Sequence, residues 1–206
     1  MLVTGFEPFG GAAVNPSQLL VEALESSPPP GIVLSTAVLP VAYARAADVL
    51  RGAVRAAGPD VVICFGQADG RPGVSIERFA HNLDSAEPVD NDGVASDAEI
   101  DPNGPVAYRS TLPVEEIVAA LRADGIPAAE SRDAGGFLCN HVFYVLMRVL
   151  EEDRPDARGG FVHVPALPEQ AVEKQLPSMP VETLARAARV IVATAAAAFG
   201  PRSGAT

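Results

Sequence analysis

Short apolar runs rich in β-branched residues alternate along this chain with segments of helical periodicity. The run 61–65 (Val-Val-Ile-Cys-Phe) is apolar at five successive positions, which is typical of a strand buried on both faces of a parallel sheet. Such alternation favours an α/β fold with a mostly parallel central sheet flanked by helices on both faces. With 206 residues, no internal repeat and no linker-like segment, the chain is expected to form one domain over residues 1–206.

The elements of this fold are predicted from periodicity and from capping signals. Asn15, followed by proline, is a typical helix start, and Gly58 followed by proline is a typical helix end. The predicted helices cover residues 16–26, 43–57, 114–123, 137–150 and 181–199. The predicted strands cover residues 32–39, 60–66, 74–83, 128–131 and 160–164, after a strand-like start at residues 1–5. Ligands bind beyond the carboxyl ends of the strands in such sheets, where loops lead into helices.

The charge of the chain excludes several function classes. Its formal net charge is −11, and Lys174 is the single lysine, so no phosphate-binding GxxxxGK[ST] loop is present. An acidic chain without a basic run is not expected to bind nucleic acid or an anionic membrane. No window contains the roughly 20 apolar residues that span a bilayer, and no signal-peptide pattern opens the sequence. The expected location is the cytoplasm.

The two cysteines exclude a disulfide scaffold and a Cys₄ zinc site. Cys64 lies inside an apolar strand and is predicted to be a buried small hydrophobe. Cys139 follows two glycines and begins an apolar helix, where free N–H groups and the helix dipole lower a thiol pKa and favour the nucleophilic thiolate. The neighbouring amides could also hold an oxyanion. Local sequence leaves both a structural and a catalytic role open for Cys139.

A nucleophilic cysteine needs a base, and the chain has three histidines. His141 is two residues after Cys139, roughly 200° around a helix, so the two side chains should diverge. His81 is expected to share a strand face with Glu77. His163 ends a buried strand and is the best placed of the three as a base. No metal-binding pattern such as HExxH occurs, so no metal and no cofactor are expected.

The third group of a triad would be a carboxylate that orients the imidazole. Glu77 lies in a β-like stretch, although a surface ion pair with Arg78 or another arginine would also explain it. The segment 84–101 contains seven acids and no base. Its Asp-Asn-Asp-Gly sequence at 90–93 lacks the full EF-hand spacing, so a solvated loop is expected there.

Nine stretches, taken together and in order, resemble the pyroglutamyl-peptidase I (pyrrolidone-carboxylate peptidase) family of cysteine peptidases. They are VTGFEPFGG (3–11), NPS (15–17), FGQA (65–68), SIER (75–78), DNDG (90–93), GPVAY (104–108), STLP (110–113), AGGFLCNH (134–141) and FVHVP (161–165). The resemblance covers most of the chain, and its specificity comes from the ordered set.

The resemblance implies a thiol peptidase with Cys139 as nucleophile, His163 as general base and then acid, and Glu77 as the orienting carboxylate. The implied reaction removes an N-terminal pyroglutamyl (5-oxoprolyl) residue from a small peptide through a thioester acyl-enzyme. It further implies a homo-oligomer, specifically a homotetramer.

The resemblance also implies a pocket for a small, flat, uncharged lactam ring, which needs aromatic walls and a few fixed polar groups. The positions that match the family pattern are the walls Phe6, Phe9, Phe137 and Leu138 and the polar groups Asn15 and Gln67.

Two positions depart from the family pattern. An arginine is common ten residues after the catalytic glutamate, where this chain has Glu87, and glycine is usual at Asp69. A reversed charge would disfavour a developing oxyanion if Glu87 pointed inward, unless Arg71 or Arg78 supplied the cation. The alternative hypothesis is therefore a catalytically weakened relative that binds small lactam or peptide ligands without efficient turnover.

Overall fold

The apolar runs and helical segments fold into strands and helices whose bounds mostly follow the prediction. The structure, a computed structural model, describes residues 1–85, 87–172 and 174–199. The strands are β1 (Leu2–Phe6), β2 (Ser35–Leu39), β3 (Val61–Gln67), β4 (Val74–Glu77), β5 (Phe79–His81), β6 (Ala107–Arg109), β7 (Ala128–Ser131) and β8 (Arg158–Val164). The helices are α1 (Pro16–Ser26), α2 (Tyr43–Ala57), α3 (Val114–Ala123), α4 (Leu138–Asp153), α5 (Pro168–Ala171) and α6 (Val181–Phe199).

Within this described part of the chain, six strands form one sheet in the order β2-β1-β3-β8-β4-β7. Neighbouring strands are parallel except for β4 and β8, which are antiparallel. The predicted single-domain α/β fold with a mostly parallel sheet is confirmed. The central strands β3 and β8 lie side by side, and both end at the same edge of the sheet because they are parallel.

Two apolar clusters fill the space between the sheet and its helices. Strand β3 contributes side chains to both clusters, because Ile63 and Phe65 belong to one cluster while Val62 and Cys64 belong to the other. Helices α1, α3 and α6 pack on the first face, and α2 and α4 pack on the second. The prediction of helices on both faces is therefore confirmed. Cys64 is fully buried, as expected for a strand residue.

The predicted strand 74–83 is instead two short strands that separate at Arg78. The backbone of Arg78 donates to the Ser131 carbonyl and accepts from the Ser110 amide, while its side chain pairs with Glu115 and Glu130. Strand β4 joins the large sheet, and β5 pairs with the unpredicted strand β6 in a separate two-stranded sheet. His81 therefore does not share a strand with Glu77, so that prediction is wrong. The short helix α5 was also not predicted.

The acidic segment 84–101 is irregular, but it is not simply a solvated loop. Asp90 is only 6% exposed, and its carboxylate accepts hydrogen bonds from the backbone amides of Tyr43, Asp92 and Val94. Asn91 donates to the side chain of Glu7 and to the Pro8 carbonyl. The DNDG sequence thus ties this segment to the loop after β1. None of the helices in the described residues is long and apolar enough to span a membrane.

Candidate active site

The carboxyl end of β8 brings a histidine and a carboxylate together in the protein interior. His163 is paired in register with Gly66 of β3 on one side and with Ser75 of β4 on the other. Two residues along β4, Glu77 lies on the same sheet face as Ser75, and its Oε1 atom is 2.7 Å from Nδ1 of His163. The two side chains are 0% and 3% exposed for Glu77 and His163. With Nδ1 bonded to the carboxylate, Nε2 is the ring nitrogen left for chemistry.

The thiol of Cys139 lies over β3 next to this pair. A Cβ atom placed on Gly66 would be 2.8 Å from Cys139 Sγ and 2.8 Å from Cζ of Phe161. Gly66 and His163 are register partners on neighbouring strands, which are about 4.8 Å apart. The thiol lies where a side chain on Gly66 would be, and it therefore lies beside His163. The Phe161 ring packs on the His163 ring at 4.9 Å between centroids. Glycine at position 66 is what allows the thiol this close approach.

Helix α4 presents Cys139 in its first turn, as predicted. The N-cap residue is Phe137, whose ring cannot accept a hydrogen bond from the amides of the first turn. Asn140 anchors the first turn of α4 to the backbone of His81 and Leu83. Its side chain accepts a hydrogen bond from the His81 amide and donates to the His81 and Leu83 carbonyls. The uncapped amides therefore remain available at the site.

Burial controls the protonation of both reactive groups. It raises the pKa of the Cys139 thiol to about 12, with Glu77 adding to the increase and Arg71 opposing it. It lowers the pKa of His163, although the hydrogen bond and charge of Glu77 act in the opposite direction. Burial therefore acts against the depressed thiol pKa that the helix N-terminus predicts.

The other two histidines lie in structural positions. Nδ1 of His141 is 3.0 Å from Oδ2 of Asp84, and its ring packs edge-on against Tyr43 at 5.2 Å. Nε2 of His81 is 3.3 Å from the Arg132 carbonyl. Neither histidine is placed as His163 is, at the carboxyl end of a central strand beside the thiol.

A small cavity that is open to solvent lies beside the thiol. It is lined by Phe6, Phe9, Asn15, Val41, Gln67, Phe137, Leu138 and Cys139. All six residues predicted to bind substrate therefore meet at one cavity together with the cysteine. Val41 was not identified from the sequence, since it is an apolar residue in a loop after β2 with no motif around it. The rings of Phe9 and Phe137 are 6.3 Å apart and form two of the walls.

The polar groups of the cavity are held in place by neighbouring atoms. Asn15 caps α1 through bonds from the Ser17 amide and hydroxyl, and its Nδ2 donates to the Glu7 carbonyl. Gln67 donates through Nε2 to Asp69 at 2.7 Å and accepts from Gln170. Asp69, the residue where glycine is usual, thus orients a wall residue of the cavity.

The two arginines proposed to replace the missing cation have different surroundings. Arg71 has Nη1 at 3.1 Å from Oε1 of Glu77, while Arg78 extends away to Glu115 and Glu130. Glu87 is exposed, close in sequence to Ser85, whose amide donates to the Gly136 carbonyl. Among the residues the structure describes, no three His, Cys, Asp or Glu side chains are grouped so as to hold a metal ion.

The model of one protein family, described as pyroglutamyl peptidase, matches residues 1–198 of this chain. The chain belongs to the pyroglutamyl peptidase family. It is 47% identical to the pyrrolidone-carboxylate peptidase of Streptomyces coelicolor over 197 residues, which are 95% of this chain and 91% of the relative. It is 42% identical to that of Bacillus subtilis over 197 residues, covering 95% of this chain and 92% of the relative.

Solved structures of the family have the same fold. The pyroglutamyl peptidase I of Bacillus amyloliquefaciens superposes with a TM-score of 0.91 at 40% identity, covering 94% of this chain and 93% of that chain. A variant of the pyrrolidone carboxyl peptidase of Pyrococcus furiosus superposes with a TM-score of 0.93 at 37% identity, covering 97% of this chain and 99% of that chain. The solved relatives therefore share the fold of this chain, including the strands that carry the candidate active site.

Proposed function

We propose that this protein is an omega-peptidase of the cysteine class that removes the N-terminal pyroglutamyl residue from peptides. Cys139 is the nucleophile, His163 the general base and then acid, and Glu77 the carboxylate that orients the imidazole. The observation that carries the proposal is the place of the Cys139 thiol over Gly66, beside His163 and at the wall of the cavity. The family of the chain supports the same reaction.

The directions of the two pKa shifts indicate how the thiol is activated. A raised thiol pKa and a lowered imidazole pKa disfavour a preformed thiolate–imidazolium pair. His163 therefore takes the thiol proton at Nε2 as Sγ attacks the acyl carbon of the pyroglutamyl residue. The Glu77 carboxylate at Nδ1 stabilises the imidazolium that results.

The rest of the reaction uses the same groups in reverse. Attack forms the S–C bond and an oxyanion, which the uncapped first-turn amides of α4 at Leu138 and Cys139 stabilise. Collapse of this intermediate breaks the C–N bond, and the imidazolium protonates the leaving amine. Water, deprotonated by His163, then attacks the thioester, and pyroglutamate leaves as the thiol is regenerated.

The cavity suits the substrate in shape and charge. Phe6, Phe9 and Phe137 provide apolar surface for a flat ring, and Asn15 and Gln67 provide polar atoms for a lactam N–H and C=O. A pyroglutamyl residue has no ammonium group, so the pocket needs no carboxylate to receive it. The bonds that hold Asn15 and Gln67 keep these polar atoms in place before substrate binds.

The alternative of a weakened relative is not favoured. It depended on Glu87 reversing a charge at the site, but this residue is exposed and Arg71 lies against Glu77 instead. The nucleophile, base, orienting carboxylate and cavity occur together in one place. The arrangement gives no reason for binding without turnover.

We further propose a homotetramer in the cytoplasm acting on small pyroglutamyl peptides, as the family resemblance implies. Two free cysteines are typical of a reducing compartment. Exposed apolar side chains at Leu83, Val89, Val94 and Val106 are candidates for subunit contacts. Light scattering coupled to gel filtration tests the assembly, and a monomer at micromolar concentration would contradict it.

The activity is tested with a chromogenic pyroglutamyl anilide. We expect release of the chromophore by the native protein, loss of activity in Cys139→Ala, and inactivation by a thiol-alkylating agent. Cys64→Ala is the matched control, because that thiol is buried in β3 and has no place in the reaction. Turnover by Cys139→Ala at the native rate, or none by the native protein, would refute the proposed function.

A further inference from the structure

Arg71 touches two separate parts of the active site. It lies in the loop between β3 and β4, and its side chain is 26% exposed. One guanidinium nitrogen, Nη1, forms an ion pair with Oε1 of Glu77 at 3.1 Å. The other, Nη2, donates a hydrogen bond to the backbone carbonyl of Asp133 at 2.8 Å.

The two contacts belong to the two halves of the catalytic arrangement. Oε1 of Glu77 is the same atom that bonds His163 at 2.7 Å. Asp133 opens the segment that leads into helix α4 and Cys139, and its carboxylate accepts from the Gly135 amide. This segment contains Gly135 with φ +81° and Gly136, so it needs an external contact to be fixed. The guanidinium links the strand that carries the acid to the segment that carries the nucleophile.

The burial of Glu77 gives the contact its importance. Glu77 is 0% exposed, and its second oxygen, Oε2, has no hydrogen-bond partner among the described residues. A buried carboxylate without a compensating charge is unfavourable in the protein interior. Without Arg71, Oε1 of Glu77 would be held, among the described residues, only by Nδ1 of His163, so the acid and the ring could shift together out of the position that the reaction needs.

We propose that Arg71 is a positioning residue for the peptidase reaction, holding the Glu77 carboxylate against His163 and fixing the segment that leads to Cys139. The inference rests on the proposed function, since it assigns Arg71 to that same site. Both contacts come from one planar group, so an arginine can make them together. A lysine has one nitrogen on a flexible stem and can supply the charge without the second contact.

The charged groups around the thiol and the imidazole determine the pH effect of removing Arg71. Glu77 and Asp133 raise the pKa of His163, and Arg71 lowers it. Glu77 and Cys64 raise the pKa of the Cys139 thiol, and Arg71 lowers it. Without Arg71, both pKa values therefore move upward. The acidic limb of the kcat/KM profile therefore moves to higher pH.

The experiment compares Arg71→Met and Arg71→Lys with native protein and with Arg132→Met. Arg132 is the matched control, because it is next to Asp133 in sequence but its side chain is 82% exposed and pairs with Glu130. In Arg71→Met we expect kcat to fall about 100-fold, the loss that a misplacement of about 1 Å produces. We expect KM to change less than threefold. Arg71→Lys should restore the native acidic limb while recovering only part of kcat.

A second measurement does not depend on turnover. The rate of Cys139 alkylation by iodoacetamide, followed against pH in all four proteins, reports the thiol directly. It should rise at higher pH in Arg71→Met than in native protein and stay native in Arg132→Met. A native kcat and native alkylation profile in Arg71→Met would overturn the inference, as would equal effects of the Arg132→Met control. Absence of turnover in native protein would instead refute the proposed function, while the alkylation profiles would still decide the role of Arg71.

Discussion

Replacing Gly66 by alanine tests whether the Cys139 thiol lies where the reaction needs it. The new Cβ would be 2.8 Å from Cys139 Sγ and 2.8 Å from Cζ of Phe161, whereas carbon atoms in contact are roughly 3.5–4.0 Å apart. Both groups, or the strand that carries position 66, must therefore move by about 0.7–1.2 Å. If Phe161 moves, the His163 ring that packs on it at 4.9 Å is disturbed as well.

A displacement of this size has a calculable effect on the rate. A misplacement of about 1 Å costs roughly 100-fold in rate, and at about 1.4 kcal/mol per tenfold this is about 2.8 kcal/mol of activation free energy. We expect kcat of Gly66→Ala on a pyroglutamyl anilide to fall by about this factor. The overpacking should also lower the free energy of unfolding by about 1–3 kcal/mol.

Two glycine variants separate the loss of activity from the loss of stability. In Gly160→Ala the new Cβ would be 2.4 Å from Oγ of Ser110, on the face of β8 away from the thiol, so stability should fall while kcat changes little. Gly52 in helix α2 has open space around it, and Gly52→Ala should raise stability by about 0.5–1 kcal/mol. Urea unfolding and steady-state kinetics measure both quantities. A native kcat in Gly66→Ala would refute the placement of the thiol over β3.

Three further predictions concern the base, the acidic segment and the cavity. Burial lowers the pKa of His163, so the imidazole stays neutral below pH 6.5. We therefore expect kcat/KM to increase with pH only in the acidic range and to be constant above it. A kcat/KM profile of native protein whose acidic limb is centred above about pH 7 would contradict this. Asp90→Ala should lower the free energy of unfolding by about 2–4 kcal/mol, because three backbone amides lose a buried charged acceptor, and Asp90→Asn should cost less in the same urea titration. Phe137→Ala should raise KM for the anilide about tenfold by removing apolar wall surface, whereas an unchanged KM would remove the ring from the binding site.

Local signals in the sequence determined most of the secondary structure. Helices α1, α2, α3 and α6 have the predicted bounds, since their starts and ends depend on nearby residues such as Asn15 at the cap of α1 and Gly58, whose φ of +51° ends α2. The broken strand at Arg78 was not predictable in this way. Its backbone bonds to Ser131 and Ser110, which are distant in sequence, and tertiary partners override a continuous β pattern.

The acidic segment shows the same limit. Its composition predicts a solvated loop, and most of its side chains are exposed. Asp90 is buried because its carboxylate accepts hydrogen bonds from backbone amides of α2 and of its own turn. No local sequence pattern predicts this burial.

The sequence by itself determined the fold class, the candidate nucleophile Cys139 and, through its ordered motifs, the family and the expected partners His163 and Glu77. These depend on residue types and their order along the chain. Only the tertiary structure decided that Arg71 rather than Arg78 lies on Glu77, that Gly66 makes room for the thiol, and that burial raises rather than lowers the thiol pKa. Those properties depend on distances and on the exclusion of water, which arise when strands β3, β4 and β8 and helix α4 meet.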